Sequence, residues 1–145
     1  MNDVERLLAI EEIKQVKAKY FWGLDHKDWE LWRREVWAED GELHVPEFQA
    51  EPFKGFDTGL AYVSESVGDQ VSVHHGHMPI IEFTSDTEAK VIWAMEDRLF
   101  RTKEQPLYHG STHLHGWGHY RETYIKRPEG WRIETPDAVL REYFG

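Results

Sequence analysis

VSVHHGHMPIIEFTSDTEAKVIWAMEDRLF, residues 71–100, decides the architecture of this chain. Two β-rich runs, Val71 to Phe83 and Lys90 to Phe100, flank the turn formers Thr84, Ser85 and Asp86. Downstream, Leu107 to Lys126 reads as a long strand with a bulge at Gly116 to Gly118. Pro128, Glu129 and Gly130 turn the chain, and Trp131 to about Glu134 begins the last strand. Upstream the period changes from two to about 3.6. Val4, Leu7, Ile10, Ile13, Val16, Tyr20 and Leu24 recur at steps of three or four, so a helix from about Val4 to Gly23, capped by Asn2 or Asp3, places them on one face. Asp28 caps a second helix from Trp29 to about Glu39, which Gly41 ends. A short strand, Glu42 to Val45, follows, and Asp57 caps a third helix containing Leu60, Val63 and Val67. Helices first and strands afterwards argue an α+β fold, with a strongly bent antiparallel sheet and the first helices folded across its concave side.

The 145 residues fit one domain, 1–145, large enough to bury a substantial core. Aromatic residues make up 14% of the chain, more than a minimal core needs, which points to an aromatic-lined pocket or a subunit interface. A formal net charge of -10 disfavours nucleic acid and anionic lipid surfaces as partners. No apolar run reaches transmembrane length, and the opening MNDVERLLAIEEIK carries acids where a secretory signal carries bases, so the reading is cytoplasmic. With no cysteine, disulfides, thiolate metal ligands and a cysteine nucleophile are excluded.

Reactive side chains concentrate in a few places. Tyr20 lies on the apolar face of the first helix, and Asp25 follows Gly23, where a carboxylate sits at the mouth of a cavity. Partial desolvation there makes a carboxylate a better base. In the run His74-His75-Gly76-His77, strand alternation points His74 opposite to His75 and His77. One face looks into the barrel, and an imidazole paired with a carboxylate is a general acid–base unit. On the next strand Glu96 and Asp97 also face opposite ways. Whichever points inward needs a partner, which a histidine on the neighbouring strand supplies. His113 and His115 share a strand face, as metal-binding pairs do, but the nearest following acid is Glu122, seven residues beyond His115 and too far for such a site. There is no phosphate loop, nucleophile elbow or zinc-protease motif. No metal and no cofactor is expected.

Tyr20-Phe21-Trp22-Gly23-Leu24-Asp25, Asp28-Trp29, Trp37-Ala38-Glu39-Asp40-Gly41, His74-His75-Gly76-His77-Met78-Pro79, Ala89 to Met95, Gly118-His119-Tyr120 and Gly130-Trp131-Arg132-Ile133 stand in a telling order. Their order and spacing, over about residues 5 to 134, resemble the SnoaL-like branch of the nuclear transport factor 2-like superfamily. The resemblance implies a cone-shaped barrel, a curved antiparallel sheet wrapped by helices around an internal pocket. Members include dehydratases, isomerases, cyclases and non-catalytic binding modules, so the fold alone does not assign a function. The dehydratase pattern for bile acids matches residue by residue: Tyr20 and Asp25 at the end of the first helix, a strand histidine at His74, and Asp97 on the next strand. A one-residue slip would put His75 in place of His74. In the scytalone dehydratase pattern a second catalytic histidine is needed, and Arg101 falls near that position instead.

The resemblance therefore implies a cofactor-independent lyase acting on a small hydrophobic, aromatic or polycyclic molecule. Its catalytic residues are Tyr20, Asp25, His74 and Asp97, and His75, Trp22, Tyr120 and Trp93 touch the substrate. Dehydration and retro-aldol cleavage use the same groups. An isomerase or cyclase, or a binding module without chemistry, is the alternative. The exposed face of the sheet is expected to build a homodimer or homotrimer, with Trp93, Trp117 and the outward histidines as candidates for that contact.

Overall fold

Asn2 opens the first helix. Its side chain accepts a hydrogen bond from the Glu5 amide at 2.8 Å, while the Glu5 carboxylate accepts one from the Asn2 amide at 2.9 Å. This reciprocal cap satisfies two amides that the helix itself leaves without acceptors. In the computed structural model, which describes residues 1–44, 51–107 and 110–144 and side chains through residue 134, the helix α1 spans Asp3–His26. It ends at Lys27, in the left-handed region with φ 57°.

Gly23, expected to end this helix, lies inside it. A Cβ at Gly23 would fall 2.4 Å from Cδ1 of Trp32, so the glycine is the seat against which that indole packs. The Trp32 indole then donates a hydrogen bond to the Tyr20 carbonyl at 2.9 Å. The buried stripe of α1 is Ala9, Ile13, Val16, Lys17, Tyr20 and Leu24. Val4 and Leu7, expected on this stripe, are exposed. At 3.6 residues per turn Val4 lies about 180° from Ile13, and Leu7 about 120°. Steps of three and four chained along the sequence had drifted around the helix.

Asp28 caps the next element by accepting a hydrogen bond from the Leu31 amide at 3.1 Å. The α-helix α2 is only Trp29–Leu31, and the chain widens into a π-helical turn, Trp32–Val36, instead of continuing as α-helix to Glu39. Both ends of that turn, Trp32 and Val36, are buried. Trp37 forms a parallel bridge with Ile133, and the Ala38 amide donates to the Ile133 carbonyl at 2.8 Å. Two short strands, β1 (Glu42–Leu43) and β2 (Phe53–Lys54), pair antiparallel; Val45 lies outside the described residues. The helix α3 is Phe56–Val67. Gly55, with φ 83°, takes its cap position, and Asp57 sits one residue into the helix as an ion-pair partner of Arg33.

The main sheet contains β3 (Val71–Gly76), β4 (Ile80–Ser85), β5 (Glu88–Phe100), β6 (His113–Arg127) and β7 (Gly130–Phe144). The order is β3-β5-β6-β7, all antiparallel, with β4 also on β5. The run from Val71 to Phe83 thus divides in two: β3 pairs with one half of β5 and β4 with the other. The break falls at Met78 and Pro79, where proline has no amide to give to a ladder. Strand β6 starts at His113, not Leu107, because a turn intervenes: the Gly110 amide bonds the Leu107 carbonyl at 2.8 Å, with Gly110 at φ 83°. The bulge expected near Gly116 to Gly118 is present as a register shift against β7 between Trp117 and Gly118, with two more shifts at Arg121/Glu122 and Thr123/Tyr124. Each shift bends and twists the ladder. Helix α1 and the π-helical turn therefore pack against a strongly curved antiparallel sheet, the α+β architecture expected from the sequence and the cone that the resemblance implies.

Strand alternation sets the inner surface. On β5 the buried side chains are Ala89, Val91, Trp93, Met95, Asp97 and Leu99, and on β6 the buried positions are Leu114, Gly116, Gly118, Tyr120, Glu122 and Tyr124. Replacing Gly23 with alanine should destabilise the fold by about 1–3 kcal/mol, because the Trp32 ring must move out of a close-packed seat. Urea unfolding followed by tryptophan fluorescence should show a lower midpoint with an unchanged m value.

Candidate active site

Asp25 occupies the last turn of α1, and β3 delivers three donors to it. Ser72 Oγ donates to Asp25 Oδ1 at 2.8 Å, and the His74 amide donates to Oδ2 at 3.0 Å. The His74 ring places Nδ1 2.7 Å from Oδ1. Ser72 and His74 are two apart on one strand, so their side chains reach the same carboxylate from the same face. With a carboxylate at Nδ1, that nitrogen carries the proton and Nε2 faces the other way. There it lies 3.6 Å from Oδ2 of Asp97, its register partner on β5.

This settles which histidine faces inward. The His74 and Asp97 side chains are 6% and 0% exposed, whereas the Asp25 carboxylate keeps 18%. His75 points to the outer face with Glu96, as alternation requires. Glu96 accepts a hydrogen bond from His115 Nε2 at 2.7 Å and stands 3.8 Å from His77 Nε2, and the His115 bond holds its carboxyl below the ordinary range. Two acid–histidine clusters thus sit back to back on adjacent strands, one inside and one outside.

The rows running from the His74–Asp97 pair are ordered by register. Gly116 is the partner of Asp97 on β6; Gly76, Met95 and Gly118 form the next inner row, and Trp93 with Tyr120 the one after. No β6 side chain stands beside Asp97 or Met95, since both β6 positions are glycine. Phe21 fills the space over Gly76, where a Cβ would come within 2.7 Å of its ring. Tyr20 stacks on Trp32 at 5.0 Å between centroids and meets Tyr120 edge-on at 5.7 Å. Tyr20 and Asp25 are five residues apart on α1, a rise of about 7.5 Å.

Beneath the two tyrosines lies a charge pair that the sequence reading missed. Lys17 and Glu122 are each 1% exposed and joined by a 2.9 Å ion pair. Glu122 also accepts a hydrogen bond from the Tyr124 hydroxyl at 3.1 Å, and burial with this neighbouring charge raises that phenol well above the ordinary tyrosine value. Burial pulls the Lys17 amine down to about 8, against the upward effect of Glu122.

Of the expected site residues, the structure gathers Asp25, His74 and Asp97 into one cluster and places Tyr20, Trp93 and Tyr120 in the buried aromatic layer beside it. It does not bring Trp22 or His75 there. Trp22 is 59% exposed and stacks on the His26 ring at 4.0 Å, and His75 is exposed on the outer face. Trp93, 5% exposed and facing the core, is also not a surface residue available for subunit contact. Trp117 remains on the outer face at 39% exposure. Arg101 is tied to Gln70 and the Ser66 carbonyl, away from this cluster. Among the described residues no group of three or more histidine or acidic side chains is arranged to hold a metal ion, and no helix is long and apolar enough to cross a membrane.

A curved antiparallel sheet of this order with helices across it defines the fold class. The chain belongs to the family of SnoaL-like domains, whose family model matches residues 5–136. Solved structures share the fold. Hexachlorocyclohexane dehydrochlorinase LinA-type3 from Novosphingobium barchaimii superposes with a TM-score of 0.81 at 20% identity, covering 99% of this chain and 93% of its own. A candidate scytalone dehydratase from Novosphingobium aromaticivorans does so with a TM-score of 0.80 at 23% identity, covering 100% and 91%. A nuclear transport factor 2-like superfamily protein from Salmonella enterica gives 0.73 at 15% identity, covering 90% and 89%.

Burial pushes the Asp25 carboxyl up, but the His74 and Ser72 hydrogen bonds and the His74 charge outweigh it, and the net value lies below ordinary aspartate. A depressed folded value contributes stability that is present above the unfolded pKa of about 3.9 and lost as pH falls through the folded one. The stability difference between the wild type and Asp25→Asn should therefore narrow on acidification below about pH 4. Chemical denaturation at a series of pH values checks this, and a difference independent of pH contradicts it.

Proposed function

We propose that this protein is a cofactor-independent lyase that eliminates water, or cleaves a carbon–carbon bond by a retro-aldol step, from a small hydrophobic substrate. The carrying observation is the 2.7 Å contact between His74 Nδ1 and Asp25 inside the cone, which leaves Nε2 directed inward. Support comes from the family, from the aromatic layer around the pair, and from the kinds of enzyme that share the fold.

In the elimination, His74 Nε2 takes a proton from the carbon next to a carbonyl. The C–H electrons form a C=C bond as the C–O bond to the β-hydroxyl breaks, and the imidazolium returns the proton to the departing hydroxide as water. Tyr20 donates a hydrogen bond to the carbonyl oxygen as negative charge develops there. Asp25 holds the ring and stabilises the imidazolium, and the Asp97 carboxyl stands 3.6 Å from Nε2, on the side where the proton arrives. In the retro-aldol case the same nitrogen takes the β-hydroxyl proton, the carbon–carbon bond breaks to an aldehyde and an enolate, and the proton returns to the enolate carbon. The low dielectric of the surrounding rings strengthens each of these interactions.

The test is a panel of aromatic and polycyclic β-hydroxy carbonyl compounds incubated with metal-stripped protein and followed by mass spectrometry. The expected product is lighter by one water, or is a fragment with its aldehyde. His74→Ala and Asp25→Asn should each lower kcat by about a hundredfold to ten-thousandfold. A product of unchanged mass contradicts the lyase reading in favour of an isomerase, and full activity in His74→Ala contradicts the assignment of the base.

A further inference from the structure

The Lys17–Glu122 pair has no role in the proton transfers just described, yet it occupies the most buried layer of the molecule. Isolated buried ion pairs are poor stabilisers, because desolvation offsets their attraction and apolar replacements of similar volume are often as stable. The surroundings of this one are specific. Lys17 Nζ lies 3.8 Å from the centroid of the Tyr20 ring and 3.5 Å from that of Tyr120, with Phe21 at 5.0 Å. Glu122 fixes the ammonium at 2.9 Å from the opposite wall, and Tyr124 in turn fixes Glu122. One cation is thereby held against the faces of two tyrosines whose rings meet edge to face.

We propose that Lys17 is a positioning residue for Tyr20: anchored by Glu122, its ammonium locks the Tyr20 and Tyr120 rings and draws electron density from them, which strengthens the phenol hydroxyl as a donor to the oxyanion of the reaction. A cation over a π face is attracted by the ring's negative quadrupole, and the attraction grows when both are desolvated. The same field makes a phenol a better hydrogen-bond donor. An amine near 8 keeps its proton at neutral pH, as the role requires. The inference rests on the lyase reading, because it names what prepares Tyr20 for its part in that reaction.

The experiment is a mutant cycle on turnover of a compound from the panel above. Lys17→Met with Glu122→Gln removes both charges, keeps the volume and leaves Tyr124 an acceptor. This neutral pair should lower kcat by about tenfold or more, with KM within about twofold. In a Tyr20→Phe background the neutral pair should cost less than about twofold further, because its effect passes through the phenol. Wild-type turnover in the neutral pair, or the same loss in both backgrounds, overturns the proposal. Should the neutral pair not fold, Glu122→Gln alone, which loosens the anchor and keeps Lys17, is put through the same cycle, and the same outcomes decide. His74→Ala and the product mass are read alongside: a product of unchanged mass means the lyase reading has failed, normal turnover in His74→Ala means the base was misassigned, and a dead His74→Ala with an active neutral pair condemns only the role of Lys17.

Discussion

The carboxylate of Asp25 joins the end of the longest helix to the first strand of the sheet, and the site depends on that junction. It accepts hydrogen bonds from the hydroxyl of Ser72 and from both the backbone amide and the imidazole of His74, two residues that alternate on β3. The backbone bond sets the strand against the helix end, and the imidazole bond sets the ring. One group therefore closes the cone at this point and decides which nitrogen of His74 carries the proton. The net lowering of its pKa reflects the same donors, which prefer the charged form more strongly than burial disfavours it.

Around this junction the packing alternates between absence and bulk. Gly23 admits Trp32 into the flank of α1, and Gly76 admits Phe21 over the sheet. Those two concessions bring the aromatic layer, with Tyr20 and Tyr120 in it, against the acid–histidine cluster. Deeper still, where a hydrophobic core would be simplest, the chain keeps a lysine and a tyrosine both bonded to one glutamate. Such polar groups at full burial are expensive unless every partner is present, and their retention under the two tyrosines fits a demand made by chemistry more than by stability.

Much of this was legible beforehand. The switch from helical to strand period gave the α+β class, and alternation alone placed His74 and His75 on opposite faces and Glu96 and Asp97 likewise. Which face is inner depends on where α1 lies, and that is a tertiary fact no local pattern contains. Gly23 was misread because a glycine near a helix end resembles a terminator, while its actual constraint comes from an indole nine residues later. Lys17 and Glu122 escaped because charged residues are ordinarily solvated. A signal existed: Lys17 sits between Val16 and Tyr20 on the buried stripe, and Glu122 lies midway between Tyr120 and Tyr124 on one strand face. The π-helical turn after Leu31 had no local marker at all.

Asp25 and His74 are proposed to work as one catalytic unit. The most direct measurement is kcat of the double variant Asp25→Asn/His74→Gln beside the two single variants. If the carboxylate acts only through the imidazole, the double variant is no slower than His74→Gln alone. If the two losses multiply, the residues act independently and the proposed unit does not exist.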